Sequence, residues 1–358
     1  MTKEQETPGR YMTESYFQDR WERTERKLAL KAQSRSEFDV WKQTTRGKLM
    51  ELTGYDTMIT SPLNPVVTGE EDMGDYTRQR VEIETEPGVI MPVYVLIPKG
   101  EGPFPAMLCP HGHSSGGKYS PAGRRDIPEL ADTIEKHNYD YGVQFCRAGF
   151  VAFCPDARGF GERLERYARG ELIASSCQYI NNMAFPLGQT VTGMWAWDLH
   201  RLVDYVETRE ECIPGKIGCA GLSGGGLQTL WATAFDERIR CAVISGYFYG
   251  YRESLLTLHG NCSCNYVPHL YEHVDIGDVG ALIAPRPVLI ETGDDDGLNG
   301  PSGLDNVIPQ VETLKRAYRL FDAEDRVYHD IFHGKHRWNG VEAIPWAVRQ
   351  LNSTNAEA

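Results

Sequence analysis

From Phe104 onward apolar residues fall into short compact runs, and this rhythm sets the first expectation. "FPAMLCP", "GFVAFCP", "KIGCAGL", "IRCAVIS", "RPVLIETG" and "RVYHDIF" are each about one strand long and predominantly apolar. Strands buried on both faces look like this. Segments with helical apolar spacing, such as "TGMWAWDLHRLVDYVETRE" and "GGLQTLWATAF", separate several of them. The alternation predicts an α/β fold with a mostly parallel central sheet and helices on both faces. Ahead of it, "RQRVEIETEPGVIMPVYVLIPKG" alternates apolar and polar residues on both sides of a Pro-Gly turn and predicts an antiparallel hairpin.

The first 54 residues have a different texture. Tyr16, Phe17, Trp21, Leu28, Phe38 and Trp41 stand among many charges, the pattern of two amphipathic helices packing on something larger. "SPLNPVV" then breaks the pattern. The expected organisation is an N-terminal helical extension over 1–76, an α/β domain over 77–350 and a C-terminal tail over 351–358. Two connections are long, one after "FCPDARGFGE" and one after "AVIS". Long connections in a compact domain usually act as lids or binding loops, and ligands of open α/β sheets sit beyond the strands' carboxyl ends.

The 358 residues suffice for one large α/β domain, and a net charge of -13 argues against nucleic acid or an anionic membrane as a partner. "MTKEQETPGRYMTESYF" has no apolar signal core, and no run of ~18 apolar residues occurs. Nine cysteines, several inside apolar runs, read as reduced core thiols of a cytoplasmic protein. Cys262-x-Cys264 lacks a second cysteine pair at ligand spacing, so no metal and no cofactor are expected. Assembly into homo-oligomers stays open.

Candidate chemistry begins with Gly-x-Ser-x-Gly, which occurs twice, around Ser223 and around Ser114. Context separates them. Ser223 follows a strand-like run and precedes a helical pattern, and a strand-to-helix turn that sharp projects the hydroxyl outward. The residues after Ser114, "GGKYSPAGRRDIP", cannot start a helix. Ser223 is therefore the candidate nucleophile. An oxyanion needs two inward N–H donors: that of Gly224, next after the nucleophile, and one from the loop "CPHGHSSGG", where His113 is the candidate.

A serine needs a base, and the base an orienting carboxylate. "TGDDDG" places Asp294, Asp295 and Asp296 at the end of the penultimate strand, and "HGKHR" places His333 and His336 beyond the last. On spacing alone any of these acids and either histidine remains open. His329, within a strand pattern, is more often core than catalytic.

"CPHGHSSGGK", "CPDARGFGE", "GCAGLSGGG", "LIAPRPVLIETGDDD" and "HGKHRW" together resemble the bacterial α/β-hydrolases grouped around dienelactone hydrolases and acetyl xylan esterases. The likeness covers roughly Thr77 to Arg349, and the helical extension also occurs in such relatives. It implies the α/β-hydrolase fold, with Asp296 as the acid and His336, in a Gly-x-His turn, as the base. Dienelactone hydrolases use a cysteine nucleophile where this chain has Ser223, which favours ordinary ester hydrolysis. The expected activity is a serine carboxylesterase acting on a small-molecule or oligosaccharide ester, such as a sugar acetate. Arg158, in Asp-x-Arg-Gly-x-Gly, is read as structural.

Two alternatives accompany this reading. One is a peptidase on the same fold, although no propeller-like domain precedes the catalytic part. The other is a metal-dependent hydrolase using His329, His333 and His336 with the aspartates of the turn. Phe160, Tyr179, Phe185, Tyr247, Phe248 and Tyr249, all in the long loops, are either pocket lining or lid packing.

Overall fold

A computed structural model of the chain describes residues 11–168, 170–257 and 261–352. The tail expected from 351 thus falls almost wholly outside the described residues, as do the first ten residues.

The six compact runs all form strands. They become β4 (Phe104–Leu108), β5 (Val151–Pro155), β6 (Cys212–Leu222), β7 (Ile239–Ser245), β8 (Val288–Gly293) and β9 (Val327–Phe332). The alternating stretch forms the hairpin of β2 (Tyr76–Glu86) and β3 (Val89–Pro98), and an edge strand, β1 (Val66–Asp72), precedes it. The described residues build a nine-stranded sheet in the order β1-β2-β3-β5-β4-β6-β7-β8-β9. β1, β2, β3 and β5 pair antiparallel in turn, and the sheet is parallel from β5 through β9.

Strand order reverses around β4: the chain leaves it to one side for β5 and returns to its other side for β6. The loops leaving β4 and β6 therefore diverge and open a crevice at the sheet's carboxyl edge, where ligands of such sheets bind.

One face is covered by α6 (Val191–Val206), α7 (Gly224–Phe235), α8 (Ile276–Ala281) and α9 (Leu304–Arg319), around a core that includes Trp195, Leu230 and Leu314. The other carries α3 (Pro128–His137), α4 (Tyr141–Arg147) and α10 (Ala343–Asn352), packed around Phe145, Trp338 and Trp346. The remaining helices are α1 (Glu14–Arg23), α2 (Arg35–Thr53) and α5 (Cys177–Ala184), the last inside the long connection after β5.

α2 begins at Ser34, whose side chain accepts from the Glu37 N–H, and ends at Gly54 in the left-handed conformation, satisfying both helix ends. Its buried Phe38 meets Phe321 edge-on, and Trp41 Nε1 donates to the Leu28 carbonyl. α1 buries none of its side chains. No helix among the described residues is long and apolar enough to cross a membrane.

Candidate active site

Ser223 stands between β6 and α7 with φ of 61° and ψ of -119°, a conformation costly for a residue with a side chain. Its own N–H donates to the Ser245 carbonyl at 2.8 Å, which anchors the turn to β7. The turn is tight enough to require glycine nearby: a Cβ on Gly225 would lie 2.2 Å from the Pro110 carbonyl oxygen. The start of α7 is thereby pressed against the loop leaving β4. Ser114, the other candidate serine, is exposed in a turn of that loop.

His336 and Asp296 meet on the opposite wall. His336 Nδ1 lies 2.7 Å from Asp296 Oδ2, and Asp296 is buried whereas His336 is partly exposed. The second oxygen of Asp296 accepts the Leu298 N–H at 2.8 Å, which fixes the carboxylate plane. Asp294 instead pairs with His333 on the surface, at 3.1 Å, where the His333 side chain is 95% exposed. That pairing holds the Asp294 carboxyl below its ordinary range, first through the Gly334 N–H and then through His333. His329 Nε2 faces the Thr292 hydroxyl at 3.0 Å, and burial lowers its pKa to about 4. His329, His333 and His336 thus have three separate partners. The structure does not bring them together as ligands of one ion, contrary to the metal-dependent alternative.

Ser223, Gly224, His113 and His336 line one cavity of about 730 Å³ at the carboxyl edge of the sheet. Ser223 Oγ and His336 are not hydrogen-bonded to each other in this arrangement; such contacts commonly tighten only with substrate present. The N–H of Gly224 opens α7 and has no intrahelical partner. The N–H of His113 is not engaged by the hydrogen bonds of the described residues.

His111 shapes the loop that carries His113. It is buried, its Nε2 accepts the Ala157 N–H at 3.1 Å, and its Nδ1 faces the Gly112 carbonyl at 2.9 Å. Burial pushes this imidazole down to about 4, so it is neutral with its proton on Nδ1. A Cβ on Gly112 would come within 2.5 Å of the Leu222 carbonyl oxygen and of the Tyr139 hydroxyl, and 3.0 Å from the Ser223 Cβ. The backbone beside the serine passes where no side chain fits.

The two long connections supply the rest of the wall. Tyr179 comes from the first, and Tyr247, Tyr249 and Tyr266 from the second, together with the amides Gln178, Asn261 and Asn265. Of the six loop aromatics, Phe160 and Phe248 are buried in the core, and Phe185 lines a separate cavity beside α1.

Two features were not legible in the sequence. Glu291, on β8, is fully buried and accepts the N–H groups of Gly340 at 2.7 Å and Asn339 at 3.3 Å, pinning the segment that follows His336. Burial raises its pKa to about 7. The other concerns Cys262 and Cys264, which are not an isolated pair: His113 Nε2 lies 3.4 Å from Cys264 Sγ, and the three side chains bring ligand atoms within 4.8 Å of one another.

Arg158 lies away from the cavity in a buried cluster, 2.9 Å from Asp198 and 2.7 Å from Glu86. Asp156, of the same motif, is buried against Lys118 at 2.7 Å, with Gly161 packed so closely that a Cβ there would be 2.3 Å from its carboxylate. The Asp-x-Arg-Gly-x-Gly segment is a scaffold.

A family model described as the Abhydrolase family matches residues 6–353. YtaP, a candidate hydrolase of Bacillus subtilis (strain 168), is 31% identical over 229 residues, covering 62% of this chain and 71% of its own. Among solved structures, a candidate acetyl xylan esterase of Bacteroides fragilis NCTC 9343 superposes with a TM-score of 0.77 at 18% identity, with 94% of each chain covered. A glucuronoyl esterase from Solibacter usitatus reaches 0.64 at 18% identity, covering 90% of this chain and 96% of its own.

Proposed function

The chain belongs to the Abhydrolase family, and from that premise we propose that it is a serine hydrolase of carboxylic esters. The observation that carries this reading is the shared cavity: a strained serine at a helix N-terminus faces a histidine whose far nitrogen is held 2.7 Å from a buried carboxylate.

In the proposed reaction Ser223 Oγ attacks the ester carbonyl while His336 Nε2 takes its proton. Asp296 keeps the other imidazole proton on Nδ1 and balances the charge that develops. The oxyanion is held by the N–H groups of Gly224 and His113, assisted by the positive end of α7. His336 then protonates the leaving alcohol, and a water activated by the same imidazole releases the acid and frees Ser223.

The lining supports a polyhydroxylated alcohol portion. Gln178, Asn261, Asn265 and five tyrosines are among the lining residues, so the wall is mixed in character rather than purely apolar. With a candidate acetyl xylan esterase and a glucuronoyl esterase among the structural neighbours, an acetylated sugar or short oligosaccharide is the substrate class we favour. The nine unpaired thiols suit a reducing compartment, and we place the protein in the cytoplasm.

The test is covalent. A fluorophosphonate should label the protein at Ser223, located by peptide mass spectrometry, and Ser223→Ala should remove both the label and turnover of an aryl acetate. Labelling at Ser114 with Ser223→Ala still active would overturn the assignment.

A further inference from the structure

We propose that His113, Cys262 and Cys264 form a binding site for a zinc-type divalent cation beside the catalytic cavity. The proposal is independent of the hydrolytic reading above, because it stands on a different set of side chains.

The residues come from two places in the fold. His113 is on the loop after β4, and Cys262 and Cys264 lie in the connection after β7. His113, Cys262 and Cys264 each offer a ligand atom, all within 4.8 Å of one another. His113 Nε2 and Cys264 Sγ are 3.4 Å apart. Tetrahedral zinc, with bonds of about 2.3 Å to sulfur and 2.0–2.1 Å to nitrogen, sets its sulfur and nitrogen ligands about 3.5 Å apart. Among the described residues no other three histidine, cysteine or acidic side chains converge in this way.

The backbone around the thiols is already held. The Asn181 amide donates to the Ser263 carbonyl at 2.7 Å, the Thr192 hydroxyl to the Cys264 carbonyl at 2.6 Å, and the Asn265 amide to the Cys262 carbonyl at 2.9 Å. These bonds fix the Cys-x-Cys turn against α5 and α6, so metal binding does not have to fold the loop. Thiolates and an imidazole select zinc over harder cations, and three protein ligands leave the fourth tetrahedral position to solvent. Each cysteine gives up its proton to solvent as it binds. The ion would then join the second long connection to the loop after β4, making it a staple across the pocket rim.

The protein, purified without chelator or a metal-affinity step, is expected to carry about one zinc per chain by elemental analysis. Cobalt(II) exchange should give the intense visible spectrum of a tetrahedral thiolate site. Cys262→Ser, Cys264→Ser and His113→Gln should each lower retained zinc at least tenfold and abolish that spectrum, whereas Cys146→Ser, on α4 away from the cluster, should leave both unchanged. Fluorophosphonate labelling of Ser223, measured in parallel, reports on folding and on the hydrolytic reading separately. Reduced wild-type protein that labels at Ser223, retains no zinc and gives only the weak spectrum of hydrated cobalt would overturn the site.

Discussion

His336 Nδ1 sits 2.7 Å from Asp296 Oδ2 while His333 Nδ1 sits 3.1 Å from Asp294 Oδ2, so one turn and one loop form two parallel imidazole–carboxylate pairs. Only the first borders the cavity with Ser223. Asp296→Asn is expected to lower kcat on a soluble aryl acetate by about 10⁴, because an amide can hold the imidazole in the wrong tautomer. Asp294→Asn should change it less than about threefold, since an exposed pair contributes little. A large loss from Asp294→Asn with Asp296→Asn near wild type would transfer the role to the other pair.

The loop after β4 gives a second test. At Gly112 a Cβ would sit 2.5 Å from the Leu222 carbonyl oxygen and 3.0 Å from the Ser223 Cβ, so Gly112→Ala must push the two strand-end loops apart. The expected result is a fall in kcat of about 10²–10³, the usual cost of one lost oxyanion donor, with a smaller change in KM. Turnover within threefold of wild type, in protein shown to be folded, would mean that the His113 N–H does not take part.

Legibility in the sequence followed burial. β4 to β8 could be read from compact apolar runs whose residues are mostly buried, β9 from a shorter apolar signal at the sheet edge, and the hairpin because only alternate residues of β2 are fully buried. β1 could not be read: all seven of its residues are exposed, so it carries no apolar signal. The order of serine, acid and histidine along the chain was visible because each follows a strand. Choosing Asp296 from three adjacent aspartates required the family pattern, since spacing alone does not say which carboxylate turns inward. His113 was invisible as a neighbour of Cys262 and Cys264, because it comes from a separate loop with no common spacing. Glu291 looked like an incidental polar residue in a strand, because the N–H groups it accepts lie far along the chain at Asn339 and Gly340.

Arg158 tests the difference between scaffold and chemistry. Asp198 accepts from Arg158, from Arg163 at 2.7 Å and from the Thr85 hydroxyl at 2.7 Å. Burial alone would raise the pKa of Asp198, but Arg158 and Arg163 outweigh it and bring it down to about 2. Arg158→Met removes one cation from this buried cluster and should cost about 3–5 kcal/mol, read as a lower Tm and denaturation midpoint. Turnover per fluorophosphonate-reactive site should stay within about twofold. A selective loss of kcat with stability intact would instead bring Arg158 into the reaction.

Glu291 makes the stability of the protein depend on pH in a direction opposite to that of a salt-bridged carboxylate. Its pKa is raised from 4.5 to about 7, chiefly because burial penalises the charged form, against the opposing N–H donors of Gly340 and Asn339. Below about pH 4.5 the carboxyl is protonated in both folded and unfolded chains, and its full favourable contribution is present. Between about pH 4.5 and 7 the unfolded chain has released its proton while the folded chain keeps it, so stability falls as pH rises. Above pH 7 the loss levels off at up to about 3 kcal/mol. Glu291→Gln removes the titration while keeping the shape. Urea unfolding at about pH 5 and pH 8.5 should therefore show a smaller fall in stability for the variant than for the wild type, with the variant relatively more stable at the higher pH. Parallel pH dependence in the two proteins would mean that Glu291 is already ionised at about pH 5 in the folded state, stabilised by the two N–H groups that pin the segment after His336.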